Sequence, residues 1–197
     1  MERGYKYRIY PNKAQRELIV KTFGCCRFVY NHALDRRKAL YEKEGVSLSR
    51  TDCNNWCNRE LKAQNEWLRE VDKFALTNSI YDMDNAYKKF LNEHAGYPKF
   101  KSKHNNRQSY TTNFTNGNIA VDFNGDTIKL PKLGKIKAKV HRAFDGVIKN
   151  ATISCTPSGK YFVSICVDAE IPEFHSAIGA LLSSSLQGSC PSDQRYG

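Results

Sequence analysis

A lone strand pattern at the start of the chain constrains the fold more than any other feature. In "GYKYRIYPN", residues 4–12, large apolar side chains alternate with Lys6 and Arg8, and Pro11 ends the alternation. The next segments with this period lie beyond Gly96, and the residues between follow a helical period. Because a strand must pair its backbone N–H and C=O groups, the sequence predicts an α+β fold: one strand, a helical insertion, then the rest of a sheet.

The first part of the helical insertion follows directly on the strand. Asn12 and Gln15 form a capping box for a helical pattern that runs from Lys13 to Glu44. We expect a break at Gly24, so that two helices meet there. Such a pair could be a helix-turn-helix that reads DNA, although many ordinary helical hairpins have the same pattern.

Two further helices complete the insertion. One is predicted from Ser49 to Gln64, capped by Ser49 or Thr51, and the other from Asp72 to about Glu93. Apolar side chains at helical spacing on the second of these helices indicate a buried face. Its members are Leu76, Ile80, Met83, Tyr87, Phe90 and Leu91.

Turn signals at regular spacing divide the remainder of the chain into short strands. Asn124-Gly125 separates "IAVDF" from "DTIKL", "PKLG" leads into "KIKAKV", and "TPSGK" separates "NATISC" from "YFVSICVD". The spacing predicts four or five antiparallel strands in a meander. They follow a polar, basic loop, "GYPKFKSKHNNRQSY", residues 96–110.

Positive charge is concentrated in this second half. The formal net charge is +11, and residues 97–142 contain ten Lys and Arg but only two acids, Asp122 and Asp126. An ordinary solvated surface intersperses both signs, so this imbalance favours a polyanion as partner. Within "KIKAKVHR", residues 135–142, alternation places Lys135, Lys137 and Lys139, with His141, on the solvent side. The alternative is a strand whose lysines only make the surface soluble or protect a sheet edge.

Other function classes find little support in the residues. The seven cysteines include no CxxC pair, which disfavours a zinc site at Cys53 and Cys57 and favours small buried thiols in a reducing compartment. No catalytic nucleophile arrangement and no carboxylate cluster stands out, so we expect no catalytic residues and no bound metal. No apolar run is long enough to span a bilayer, and "MERGYKYRIY" does not resemble a secretory signal, which predicts a cytoplasmic protein.

Several segments, in order along the chain, resemble one known family. They are "YRIYPNKAQRELI", "FGCCRFVYNHAL", "WLREVDKFALTNSI", "YPKFKSK", "SYTTNFTN", "IKLPKLGKIKAK" and "AEIP". From about Tyr5 to Pro172 the chain is similar to the N-terminal half of TnpB, also called OrfB. These insertion-sequence proteins are usually described as transposases and are RNA-guided DNA endonucleases similar to compact type V CRISPR effectors.

The resemblance implies a specific architecture. Strand 1 (residues 1–11) and the strands in residues 96–172 would close into an antiparallel β-barrel, the wedge domain, around an inserted helical recognition lobe, residues 12–95. The implied partners are a guide RNA and double-stranded DNA. Side chains expected to contact nucleic-acid backbone are Lys6, Arg8, Lys99, Lys101, Lys103, Arg107, Lys135, Lys137, Lys139 and Arg142. Those expected at the DNA motif beside the target are Arg50, Lys73, Thr77, Thr115 and Asn116.

The resemblance stops at the C-terminus. A family member would continue into a RuvC-type nuclease domain, which holds magnesium through three acids and usually zinc through a CxxC element, whereas residues 173–197 are Ser/Gly-rich and lack that pattern. We therefore expect a truncated gene product that binds RNA and DNA without cutting, needing neither metal. The alternatives are a stand-alone helix-turn-helix regulator that binds DNA, and a non-functional pseudogene fragment.

Overall fold

A computed structural model describes residues 1–104 and 107–169, and in these residues seven strands form one antiparallel sheet. The expected tail, residues 173–197, lies outside the described residues. The strands are β1 (Glu2–Tyr10), β2 (Gln108–Asn113), β3 (Ala120–Asp122), β4 (Thr127–Leu130), β5 (Gly134–Lys139), β6 (Val147–Cys155) and β7 (Tyr161–Asp168).

The first strand lies in the middle of the sheet. The order is β2-β6-β7-β1-β5-β4-β3, so β1 pairs with β7 on one side and β5 on the other. The prediction that strand 1 joins the C-terminal strands is therefore confirmed. The predicted meander is only partly right, because β1 separates the β3-β4-β5 meander from the β6-β7 hairpin.

The prediction of a closed barrel is wrong for the described residues. β2 and β3 lie at opposite ends of the sheet and do not pair with each other. The edge of β2 that pairs with no strand is covered by a helix. Asn78 Nδ2 of this helix donates hydrogen bonds to Thr111 O at 2.7 Å and to Asn113 Oδ1 at 3.1 Å. β3, at the other end, has three residues, too few to complete a closed ladder. The sheet is therefore open.

Helix α1 (Lys13–Glu44) is continuous through Gly24, and the predicted break there is wrong. The capping box at Asn12 and Gln15 is confirmed, and Gly45 ends the helix with φ +67°. A glycine inside a helix costs about 1 kcal/mol relative to alanine. This cost is too small to interrupt a helix whose residues before and after the glycine are packed in the core. Here the buried Phe23 and Cys26 flank Gly24 and hold it within the helix.

The remaining helices follow the predicted positions closely. α2 (Arg50–Trp56), with the predicted Ser49 cap, continues through a π-helical turn (Cys57–Leu61) into α3 (Lys62–Gln64). After a short 3₁₀ turn (Glu66–Arg69), α4 (Lys73–Asn92) follows its N-cap residue Asp72. Leu76, Ile80 and Met83 on α4 are buried as predicted, but Leu91 in its last turn is exposed.

One hydrophobic core joins the inner face of the sheet to the helices. Phe23 of α1 packs edge-on against Tyr110 of β2, with ring centroids 5.6 Å apart. At the other end of the sheet, Gln15 Nε2 donates to Leu133 O and Lys135 O, so the first turn of α1 is fixed on the β4-β5 turn. The sheet consequently has one face covered by helices and an opposite, outer face.

Candidate nucleic-acid interface

Six exposed cationic side chains share the outer face of the sheet. Alternation creates this arrangement, because Tyr7 and Ile9 on β1 and Ile136 and Ala138 on β5 point into the core. The residues between them point outward, and β4 adds one more lysine. We call this set the strand patch: Lys6, Arg8, Lys129, Lys135, Lys137 and Lys139.

Like charges face each other directly across the strands of this patch. Arg8 is paired with Lys139 across β1 and β5, and Lys129 with Lys135 across β4 and β5. No ion pair to an acid involves a patch residue within residues 1–104 and 107–169. Directly opposed like charges destabilise a sheet, so the arrangement has a cost that a bound polyanion would remove.

The position of β5 in the sheet tests whether its lysines protect a sheet edge. β5 lies between β1 and β4, so it is an interior strand and its lysines protect no edge. The edge-protection alternative is therefore wrong.

Aromatic rings border the cations and form shallow clefts with them. One cleft of about 490 Å³ is lined by Lys6, Arg8, Lys139, His141 and Phe162, and the Lys6 ammonium lies 4.8 Å from the Phe162 ring centroid. A second cleft of about 260 Å³, at the end of β1, adds Arg16 and Lys160 beside Tyr10 and Tyr161. Rings next to cations provide stacking surfaces as well as charge.

The predicted cations of residues 96–107 lie outside the strand patch, and one of them, Lys101, is fixed on α1. The side-chain amide of Asn31 on α1 pairs with the Lys101 backbone: its Nδ2 donates to Lys101 O at 3.0 Å, and its Oδ1 accepts from Lys101 N at 2.8 Å. The Lys101 ammonium lies 3.6 Å from Asp82 and 4.2 Å from the Tyr30 ring centroid, so this charge is partly neutralised. Lys99, Lys103 and Arg107 are exposed.

Arg142 follows the strand patch along the chain. Its side chain is exposed, and its carbonyl oxygen accepts a 2.7 Å hydrogen bond from the Tyr7 hydroxyl. The predicted backbone-binding residues thus form two groups, one on and beside the sheet and one in the loop that Asn31 connects to α1.

The residues predicted at the target-adjacent motif lie on α2, on α4 and in the turn after β2. Lys73 and Thr77 are one helical turn apart on α4, and Arg50 stacks on Tyr81, one turn further, at 4.3 Å from its ring centroid. Thr115 and Asn116 are exposed in the turn that follows β2, the strand that α4 covers. Their role in DNA recognition stays a prediction.

No group of three or more His, Cys, Asp or Glu within residues 1–104 and 107–169 could hold a metal ion. Cys53 and Cys57 are buried. Burial also raises the pKa of Cys25 to about 11 and that of Cys26 to about 12, so neither is a thiolate nucleophile at neutral pH.

The predicted contact residues leave out three cations of the interface: Lys129, which the sequence analysis counted only as part of the charge imbalance, and Arg16 and Lys160. The three-residue turn between Leu130 and Gly134 places Lys129 opposite Lys135, a register that the "IKLPKLGKIK" pattern could have supplied. Arg16 and Lys160 come together only through the pairing of β1 with β7, which no local pattern specifies.

Comparison with known proteins identifies the family. A model described as a helix-turn-helix domain of OrfB proteins matches residues 1–45. InsQ of Escherichia coli (strain K12), named as a candidate RNA-guided DNA endonuclease, is 30% identical over 169 residues, 85% of this chain. VsdF, a virulence protein of Salmonella dublin, is 34% identical over 114 residues, and 96% of its length is matched. The chain belongs to the TnpB/OrfB family.

This TnpB/OrfB chain corresponds to part of its longer relatives. It spans 40% of InsQ and 43% of a Streptomyces pristinaespiralis protein, also named as a candidate RNA-guided DNA endonuclease, which is 29% identical over 182 residues. The match to VsdF covers 53% of this chain. In the segment that the helix-turn-helix model matches, this chain has β1 and one unbroken helix. None of the described helices has the length and hydropathy needed to cross a bilayer.

Proposed function

We propose that this TnpB/OrfB chain binds nucleic acid, holding the phosphates of a guide RNA on the strand patch. The observation that carries the proposal is the set of directly opposed, unneutralised cations on an interior part of the sheet. Two relatives named for RNA-guided DNA endonuclease activity support the choice of RNA. Arg50, Lys73, Thr77, Thr115 and Asn116 would contact duplex DNA beside the target.

The geometry of the strand patch suits backbone contact better than base reading. Outward side chains along β5 are about 6.6 Å apart, and neighbouring strands are separated by about 4.8 Å. This spacing gives a two-dimensional array of flexible cations rather than an element that enters a groove. Lys and Arg side chains that neutralise phosphates supply most sequence-independent affinity. The array therefore favours binding of a structured RNA by shape, with the neighbouring rings as stacking surfaces.

The proposal is limited to binding and includes no cleavage by this chain. Two-metal hydrolysis of a phosphodiester needs carboxylates that converge on ions about 4 Å apart, and the described residues carry no such cluster. A nuclease assay with guide RNA, target DNA and magnesium tests this part directly. Cleavage by the purified chain alone would refute it.

A second candidate function is a stand-alone DNA-binding regulator. The match of residues 1–45 to a helix-turn-helix domain favours it, while the unbroken course of α1 through Gly24 opposes it. A regulator of this kind binds duplex DNA tightly after its preparation has been treated with ribonuclease. We expect the ribonuclease-treated protein to have lost its bound RNA and to bind duplex DNA only weakly. A fragment without function would bind neither nucleic acid more tightly than an unrelated protein of equal net charge does.

Salt dependence provides a quantitative test of the proposed contact. With about six phosphate contacts, the slope of log affinity for RNA against log salt concentration is expected to be on the order of −5. Changing Lys135 and Lys137 to Gln should reduce the steepness of the slope by about two, because each lost phosphate contact removes about one. The measurement is fluorescence anisotropy over a salt series. A slope that stays unchanged in the double variant would contradict the placement of the site.

A further inference from the structure

A second groove lies on the helical side of the molecule, away from the strand patch. It has a volume of about 470 Å³ and runs along α1, closed on one side by the 3₁₀ turn that carries Trp67. We call it the aromatic groove, defined by Gly24, Arg27, Phe28, Asn31, His32 and Trp67. The α1 members recur at three- and four-residue spacing, so they share one face of the helix.

Three rings form a continuous wall of the aromatic groove. The ring centroids of Phe28 and His32 are 3.8 Å apart, and the Phe28 ring meets Trp67 edge-on at 4.9 Å. Trp67 is 37% exposed, so its indole is available to a ligand. The exposed indole and imidazole rings, each in contact with the same Phe28 ring, offer a stacking surface for a flat, aromatic ligand.

The charged residues that line the groove are Lys21, which is ion-paired with Glu70, and Arg27. No acidic residue is among the described residues that line the groove, and Arg27, half-buried in it, forms no ion pair with an acid of the described chain. Asn31 connects the groove to the basic loop, because its amide holds the Lys101 backbone. Beside that anchor stand Lys99 and Phe100, whose ring is 58% exposed.

We infer that the aromatic groove binds an unpaired nucleobase of a single-stranded segment, with the loop cations beside its phosphates. The inference deepens the proposed function, on which it rests for the ligand class, but it uses none of the strand-patch residues. A base in a duplex has both faces covered by its neighbours, so only an unpaired base can stack on these rings. Stacked rings with adjacent cations are the combination by which proteins hold single strands without reading sequence.

Gly24 offers a test in which stability and binding change in opposite directions. Nothing lies within 4 Å of a β-carbon built at Gly24, so a side chain there extends into open space at the groove. Gly24→Leu should raise the thermal midpoint by about 2–4 °C, because it removes the glycine cost in the helix. The same change should weaken binding of a short oligouridylate about tenfold, because it fills the space for the base. Gly24→Ala, the matched control, should be stabilised and bind like the wild type.

Trp67 supplies a second, independent variant. Trp67→Ala should weaken oligouridylate binding about tenfold, Trp67→Phe should retain most of it, and Trp56→Phe, the control at the other tryptophan, should have no effect. Circular dichroism confirms that each variant is folded. An oligothymidylate of the same length tests DNA as the source of the base. Loss of affinity for either oligomer supports the site, and the oligomer that loses more identifies the strand.

The overturning results are equally specific. Wild-type affinity of Gly24→Leu and Trp67→Ala for both oligomers would overturn the inference, as would an equal loss on an abasic oligomer, which has phosphates but no bases. Failure of the proposed function has a different signature: strand-patch variants would then bind structured RNA normally. The two outcomes depend on different residues and different probes, so one can fail while the other holds.

Discussion

Changing Lys135, Lys137 and Lys139 together to Glu is expected to weaken RNA binding by about two orders of magnitude at physiological salt. Each substitution removes one phosphate contact, and each new carboxylate repels the phosphates that its neighbours hold. All three side chains are exposed on the outer face of β5, so the substitutions leave the core contacts of Ile136 and Ala138 intact. Electrophoretic mobility shift with a structured RNA measures the effect.

The stability of this variant separates a binding defect from a folding defect. In the wild type Arg8 faces Lys139 and Lys129 faces Lys135, so replacing the β5 lysines converts repulsive pairs into attractive ones. We therefore expect an unchanged or higher thermal midpoint together with the loss of binding. The matched control changes Lys38, Lys43 and Lys89, exposed on α1 and α4, to Glu, which lowers the net charge by the same amount. Equal loss of binding in that control would show that only total charge matters.

Replacing Asp84 with Ala is expected to lower the free energy of unfolding by about 3–5 kcal/mol. Asp84 on α4 accepts a 2.9 Å hydrogen bond from Arg37 on α1, and the two side chains are only 3% and 8% exposed. Without Asp84 the guanidinium of Arg37 remains buried without its carboxylate, against the Tyr87 ring 4.1 Å away. Urea unfolding measures the change. A loss below about 1 kcal/mol would contradict this interpretation of the pair.

Two variants and a pH series sharpen this test. Asp82→Ala removes an exposed aspartate whose ion pair with Lys101 is 3.6 Å long, and it should cost little. The double variant Arg37→Met with Asp84→Leu removes both buried charges and should recover most of the lost stability. Burial raises the pKa of Asp84, but hydrogen bonds from Lys88 and Arg37 outweigh it and lower the pKa below its ordinary value. Ionised Asp84 therefore stabilises the fold at neutral pH. The difference in the free energy of unfolding between the wild type and Asp84→Asn should shrink as the pH falls below about 4.

Local patterns predicted the elements of this fold well, and long-range pairing is where they failed. The capping box at Asn12 and the cap at Ser49 depend on residues within one helical turn, so the sequence specifies them directly. Gly24 was misleading because a single glycine shifts the local preference by about 1 kcal/mol, which tertiary packing easily exceeds. The open sheet could not be predicted, because its reason is the packing of Asn78 against the edge of β2, a contact between distant parts of the chain.

The same distinction applies to the candidate site. Alternation alone placed Lys135, Lys137 and Lys139 on one face, and the structure agrees. That Arg8 stands directly opposite Lys139 depends on the pairing of β1 with β5, which sequence periodicity does not encode. For the same reason the sequence joined the loop lysines to the strand lysines in one group, although the loop is attached to α1 through Asn31.

Photo-cross-linking of bound RNA, followed by peptide mapping, tests most directly whether RNA lies on the outer face of the sheet. We expect the main cross-linked peptides to contain β1 and β5, at Tyr10, His141 and the neighbouring lysines, with a weaker set at Trp67 and Phe100. Adding excess polyanion such as heparin should remove the β1 and β5 cross-links first. Cross-links confined to α2 and α3, with β1 and β5 unlabelled, would contradict the account.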